Sequence, residues 1–232
     1  MVPVKSIIND FSHLFFPHVC AGCGTGNISR QAPVCMHCIN QLPLTNFHLY
    51  ANNLVEKYFW GRMPVAGAAS LCHFTDGSLV QHLLHQLKYG GNKEIGYFLG
   101  RMMGNSLRAA DRFRGIDALV PLPLFASRQK KRGYNQSAIL CSGMATILKL
   151  PVISDAVLRL TATETQTHKT RIERWMNMEG KFELIHPAAV KGKHILLVDD
   201  VITTGATLEA CGQEILKAEG VKLSIATLAY TV

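Results

Sequence analysis

At 232 residues the chain has room for one domain of ordinary size and a small appendage, and not for two full domains. Hydrophobic residues make up 48% and charged residues 17%, which excludes a disordered chain and describes a folded one with a substantial core. A formal charge of +8 favours anionic partners, either small phosphates in a focused pocket or a nucleic-acid backbone along a basic face, and does not separate the two.

Residues 1–16 are apolar in part but are interrupted by Asp10 and His13 and carry a single early lysine, so they do not read as a signal peptide. No run reaches the roughly 18 apolar residues that span a bilayer, and no membrane insertion is expected. Residues 1–63 are irregular, with Gly, Pro, Asn and four cysteines and no sustained strand or long helix periodicity. A metal is expected to substitute for a core there. The expected boundary lies near Gly61, with a small cysteine domain over residues 1–63 and the main domain over residues 64–232.

Seven cysteines form no disulfide framework: four fall in two tight pairs, while Cys72, Cys141 and Cys211 are scattered through apolar stretches. Free thiols suit a reducing compartment, which points to the cytoplasm. Cys20-x-x-Cys23 and Cys35-x-x-Cys38 are separated by eleven residues, and Gly24 follows the first pair as a knuckle turn requires. Four thiolates fit tetrahedral zinc and leave no open position, so the expected ion is structural. The competing reading, redox thiols, needs only one pair and normally accompanies a thioredoxin-like pattern that is absent here. The glycines of residues 22–26 follow no strand and are not a dinucleotide loop.

From Pro64 the texture changes to short apolar runs alternating with longer amphipathic stretches, the pattern of strands separated by helices. Residues 65–74 read as a strand. Residues 78–89 read as a helix, with Leu79, Val80, Leu83, Leu84 and Leu87 at helical spacing and Gly90 and Gly91 as its stop. A second helix is predicted over residues 93–113, and a short buried strand over 116–120 is ended by Pro121 and Pro123. A basic loop follows, then a helix over 136–148 and two weaker strands over 157–160 and 182–185. Residues 194–198 are the clearest strand, an unbroken apolar run of the kind covered on both faces. A helix over 206–218 ends at Gly220, and residues 223–228 are expected to close the sheet.

Residues 195–207, Ile-Leu-Leu-Val-Asp-Asp-Val-Ile-Thr-Thr-Gly-Ala-Thr, join this strand to two acids and a threonine-rich turn that opens a helix. Backbone N–H groups around Gly205 converge on an anion, the helix start adds its positive end, and the hydroxyls of Thr203, Thr204 and Thr207 can donate to phosphate oxygens. Asp199 and Asp200 would repel phosphate directly, and make sense as acceptors for sugar hydroxyls or as help in placing a cation. An ordinary turn capped by threonine explains neither the paired acids nor three threonines around a glycine.

This segment resembles the phosphoribosyl pyrophosphate (PRPP) signature of type I phosphoribosyltransferases. Together with the four cysteines, Leu87-Lys-Tyr89, Arg132-Gly-Tyr-Asn-Gln136 and the stretch containing Gln166, Arg171 and Asn177, the chain resembles the competence-protein ComF family almost end to end. The resemblance implies an α/β fold: a type I phosphoribosyltransferase-like, mostly parallel sheet flanked by helices and preceded by a small zinc-knuckle domain. It implies that Asp199 and Asp200 hold ribose hydroxyls and that Thr203, Thr204, Gly205, Ala206 and Thr207 cradle the 5′-phosphate. Pro121 and Leu122 fall at the pyrophosphate loop, and residues 163–177 fall at a mobile hood carrying Gln166 and Arg171. Magnesium is implied with PRPP, and DNA uptake is the implied setting.

Arg128, Lys130, Lys131 and Arg132 place four positive charges in five residues. They can neutralise pyrophosphate, bind nucleic-acid phosphates with Tyr134 as a stacking platform, or form a merely solvated loop. Arg132 is the candidate for ligand contact and catalysis, together with Asp199 and Asp200. Lys88 and Tyr89 can cap their helix or line the site. The main functional reading is a phosphoribosyltransferase acting on PRPP; the alternative is a single-stranded DNA-binding module of the uptake machinery with PRPP as regulator or vestigial ligand. A lesser reading is an adaptor whose zinc domain docks a helicase-like competence protein.

Overall fold

A computed structural model of the chain describes residues 18–29, 32–160 and 181–231. Two short helices, α1 (Met36–Asn40) and α2 (Leu54–Lys57), precede the first strand, β1 (Gly67–Phe74). There follow α3 (Leu79–Tyr89), α4 (Lys93–Arg108), β2 (Ala118–Pro121), α5 (Ala126–Arg132) and α6 (Gln136–Leu148). The remainder comprises β3 (Val157–Arg159), β4 (Phe182–Leu184), α7 (Pro187–Val190), β5 (His194–Ile202), α8 (Ala206–Ile215) and β6 (Lys222–Thr231).

The main sheet has the order β1-β6-β5-β2, parallel throughout, and β3 pairs antiparallel with β4 in a separate ribbon against α8. Parallel strands buried on both faces read as continuous apolar runs, and Ile195, Leu196, Leu197 and Val198 are fully buried. β6 therefore does not close the sheet as expected. It lies inside, between β1 and β5, and its pattern is buried from Leu223 to Tyr230. The outer edge of β1 is covered by residues 43–45, where Thr45 N–H donates to the Leu71 carbonyl at 3.0 Å and His73 N–H to the Pro43 carbonyl at 2.9 Å. Such cover hides donors and acceptors that would otherwise pair with another chain.

Helix α3 starts where Ser78 accepts a hydrogen bond from Gln81 N–H, and it buries Val80, Leu83, Leu84 and Leu87 on one stripe. Helices α4 and α6 pack backbone against backbone. A Cβ on Gly100 would stand 2.2 Å from the Leu140 carbonyl oxygen, and one on Gly143 would stand 2.2 Å from that of Tyr97. Helix α4 ends at Arg108, short of the expected Phe113, and a 3-10 turn over Asp111–Phe113 follows. The break turns Phe113 into the core and lets Arg112 pair with Glu56. The basic stretch, expected as a loop, is α5, closed by Gly133 in the left-handed conformation with its cations in the last turn, where the helix dipole favours them. At the other end of the fold, α8 stops at Ile215, short of the expected Ala218.

The cysteine segment has apolar anchors of its own. Val34, Phe47, Val55, Phe59 and Met63 are buried and continuous with the core of the sheet, so metal is not its sole substitute for a core. Asn53 ties this segment to β1: its carbonyl caps α2 by accepting from Val55 and Glu56 N–H, and its amide donates to the Ala68 carbonyl at 2.8 Å. Glu56 accepts from Ala68 N–H at 3.1 Å. Among the described residues no helix is long and apolar enough to cross a membrane.

Candidate functional site

Asp199 and Asp200 lie within β5, which runs two residues beyond them, and not at its end as expected from the sequence. Successive strand residues point to opposite faces, and the two acids accordingly take different partners. Ser137, in the first turn of α6, donates its hydroxyl to Asp199 Oδ1 at 3.0 Å. Lys88, in the last turn of α3, places Nζ 2.9 Å from Asp200 Oδ2 as an ion pair. Both carboxylates are buried. Burial and the adjacent charge of Asp200 raise the pKa of Asp199 to about 7, against the opposing pull of the Asp200 backbone amide, Lys88 and Ser137.

Beyond β5, Thr203, Thr204 and Gly205 form a bend into α8, and Asp199 together with residues 201–208 lines one concavity. Gly205 has φ +77°, which favours a residue without Cβ, and as the N-cap of α8 it has no side chain to offer the first turn. The Thr204 hydroxyl accepts from Ala206 N–H at 3.4 Å, a long contact. The N–H groups of Thr207 and Leu208 thus open the helix toward the concavity without a side-chain cap from Gly205. An anion is favoured at such a helix start.

The stretch from Arg132 to Ser137 fastens the neighbouring elements around the acids. Tyr134 is buried and so is not the stacking platform expected from the sequence; it donates its hydroxyl to the Leu87 carbonyl and holds the end of α3 that carries Lys88. Asn135 caps α6 by accepting from Ser137 N–H at 2.9 Å and donates to the Leu122 carbonyl at 2.9 Å. Arg132 donates to the Gln136 side chain and lies over the Tyr89 ring, 5.6 Å from its centroid. Pro121 pairs with Val198 across the sheet, and Leu122 N–H donates to the Val198 carbonyl at 2.8 Å, which sets their backbone beside the residue that precedes Asp199. Arg159 on β3 is buried over the Phe182 ring, and its charge and that of Asp199 act on one another. Gln166 and Arg171 lie outside the described residues.

Sequence reasoning left Lys88 undecided and did not find Ser137 or Arg159. A lone serine in a helix carries no signal of its own. Lys88 ends a helix, where a basic residue is expected in any case.

Cys20, Cys23, Cys35 and Cys38 bring their sulfurs within 4.8 Å of one another. Cys20 Sγ lies 3.8 Å from Cys38 Sγ, and Cys23 Sγ lies 3.7 Å from Cys35 Sγ. Tetrahedral zinc with bonds of about 2.3 Å requires sulfur separations of about 3.8 Å, so the four side chains fit the ion. Cys20 Sγ also accepts from Gly22 N–H at 3.3 Å and Cys35 N–H at 3.2 Å. Burial raises the Cys20 thiol, but these amides together with that of Cys23 hold it down to about 6; Cys38, buried among the other thiols, is pushed up to about 12. A Cβ on Gly22 would stand 2.7 Å from Cys38 Sγ, so the knuckle needs glycine there.

The family model and the curated relatives agree with this layout. The family model "Phosphoribosyl transferase domain" matches residues 136–231, from the start of α6 to the end of β6. DNA utilization protein YhgH of Escherichia coli K12 is 31% identical over 219 residues, 92% of this chain and 91% of its own. Competence protein F of Haemophilus influenzae is 29% identical over 200 residues, 84% of this chain and 83% of its own. This chain belongs to the ComF family. Its ComF layout thus combines a phosphoribosyltransferase-like domain with a four-cysteine cluster in front. Among solved structures, adenine phosphoribosyltransferase of Leishmania tarentolae aligns at a TM-score of 0.39 with 11% identity, over 78% of this chain and 89% of its own.

Proposed function

We propose that this ComF chain binds PRPP, with the ribose hydroxyls on Asp199 and Asp200 and the 5′-phosphate on Thr203, Thr204, Gly205, Ala206 and Thr207. The observation that carries this reading is the pair of buried acids with Lys88 and Ser137 as partners, set directly before an anion-favouring helix start. A diol donates to the carboxylates while the phosphate takes N–H and hydroxyl donors further along the same turn. Pro121 and Leu122 lie beside the pyrophosphate position, and Arg132 is the cation assigned to it. In this reading residues 1–63 form the zinc-knuckle part and residues 64–232 the phosphoribosyltransferase-like part, in a protein of the reducing cytoplasm.

As a transferase, the site holds the ribose while the bond from the anomeric carbon to pyrophosphate breaks, that carbon develops positive character, a nucleophilic atom of the acceptor forms the new bond to it and pyrophosphate departs. Asp200 already has Lys88 as its cation, so magnesium would be held by the pyrophosphate of the ligand and would supply charge neutralisation to the leaving group there. Zinc is assigned to the four cysteines, where it closes the knuckle and takes no part in the reaction. The test is calorimetric titration of PRPP with magnesium into the wild type and the Asp199→Asn, Asp200→Asn double variant. Binding to the wild type that is lost in the variant supports the site, and acceptor-dependent release of pyrophosphate then establishes transfer. A folded wild type that takes up no PRPP overturns the reading.

A second reading, single-stranded DNA binding, is favoured by α5. Lys130 and Lys131 are exposed on it, and Arg132 lies over the ring of Tyr89, a residue that is 70% exposed. An exposed aromatic beside cations suits base stacking and phosphate contact. Binding that weakens steeply with salt and is lost in Lys130→Ala, Lys131→Ala, Arg132→Ala, yet persists in the double Asn variant, would support it.

A further inference from the structure

The phosphate-binding turn is backed from behind by residues 58–63, which join the cysteine segment to the sheet. A Cβ on Gly205 would stand 3.3 Å from Tyr58 Cβ and 3.4 Å from the Phe59 ring, so these side chains lie against the turn and leave little room beyond a glycine. One on Gly212, two turns along α8, would stand 2.6 Å from Met63 Sδ. Between these contacts Arg62 forms an ion pair with Glu209 on α8. The same guanidinium donates to the Tyr58 carbonyl at 3.0 Å and reaches the Thr204 carbonyl at 3.5 Å.

Glu209 is buried, and its N–H donates to the Gly205 carbonyl at 2.8 Å. It stands in the first turn of α8, where the dipole favours an acid. Negative charge at this spot also competes with an incoming phosphate unless a cation neutralises it, and Arg62 is that cation. The planar fork of arginine spreads its donors over two terminal nitrogens and so spans the carboxylate on one side and the two carbonyls on the other, whereas an ammonium gathers its three donors on a single nitrogen.

We propose that Arg62 is a positioning residue for the phosphate turn. It neutralises Glu209 and holds the Thr204 and Gly205 backbone in the shape that presents the Thr207 and Leu208 N–H groups. The inference rests on the PRPP reading for the identity of the ligand. It does not rest on it for the order of the turn, which is measurable in the ligand-free protein.

The experiment compares amide hydrogen exchange in the full chain as wild type, as Arg62→Lys, and as Arg62→Met with Glu209→Gln, which removes both charges and leaves no buried ion without a partner. The expected result is that exchange over residues 203–208 rises by roughly tenfold or more in the double variant, while β1 and β6 exchange at the wild-type rate. Arg62→Lys keeps the pair with Glu209, loses the reach to Thr204 and falls in between. Should the double variant fail to fold, the Arg62→Lys comparison decides. Exchange over 203–208 that is unchanged, or that rises by the same factor across the whole sheet, overturns the proposal. Titration of PRPP with magnesium runs alongside, and its affinity is expected to fall by a similar factor. A wild type that binds no PRPP sinks the functional reading, and the exchange comparison still judges Arg62.

Discussion

Lys88 Nζ stands 2.9 Å from Asp200 Oδ2, so the last turn of α3 supplies the counter-ion of an acid two residues short of the end of β5. Asp200 is buried, whereas the Lys88 side chain is a quarter exposed. Removing the lysine leaves a buried carboxylate without its partner, although solvent reaches the pair from one side and moderates the cost. Lys88→Ala is expected to destabilise the protein by about 1–3 kcal/mol in urea unfolding at neutral pH. Lys88→Arg, which keeps the charge, should lose less than half of that. An alanine variant as stable as the wild type would show that the pair contributes nothing.

Asp199 gives a pH dependence of definite sign. Burial and the neighbouring Asp200 raise it from an ordinary 3.8 to about 7, so the folded protein holds this proton more tightly than the unfolded chain. Its contribution to stability is fully present below the unfolded value and is lost as pH rises through about 7. Between these limits the loss from this group approaches about 1.4 kcal/mol per pH unit. Asp199→Asn removes it, so the gap in stability between variant and wild type should widen in favour of the variant from pH 5 to pH 8. Ribose hydroxyls donate to the ionised form, and PRPP affinity is therefore expected to be higher at pH 8 than at pH 6. Calorimetry at the two values checks this, and equal affinities would remove Asp199 from the ribose contacts.

The sulfur geometry predicts about one tightly bound zinc per chain, released on treatment with a thiol reagent and detected with a metal indicator. Cys38→Ala removes a buried ligand and should abolish that zinc, with a lower melting temperature than the wild type. Chelation should expose the knuckle to protease before the sheet, because residues 43–45 and Asn53 keep the rest of the segment on β1. A protein purified in reducing buffer that carries no metal, and takes up none, would refute the assignment.

The contact between α4 and α6 admits no methyl group. At Gly100 and Gly143 the added Cβ meets backbone atoms of the facing helix, which cannot swing away as a side chain can. Gly100→Ala and Gly143→Ala are each expected to cost about 1–3 kcal/mol by overpacking, although alanine is the better helix former. Gly26→Ala, where an added Cβ has open space around it, serves as the control in the same unfolding assay and should change little.

The amino-acid sequence by itself determined the parts whose signals are local. The leucine-rich stripe of α3, the apolar run of β5, the acid pair with its threonine turn and the spacing of the four cysteines all lie in short windows, where periodicity and residue type are sufficient. Helix α6 begins and ends where its pattern predicts, at Gln136 and Leu148. Only the tertiary structure decided what those parts touch. Ser137 reaches Asp199 and Lys88 reaches Asp200 because α6 and α3 pack beside β5, and no window of the chain contains both members of either pair. The same holds for the interior place of β6, which depends on its pairing with both β1 and β5, and for Arg62 against Glu209. Local pattern fixes the backbone period and the sign of each side chain, whereas the partners of a buried charge are chosen by which distant elements share its space.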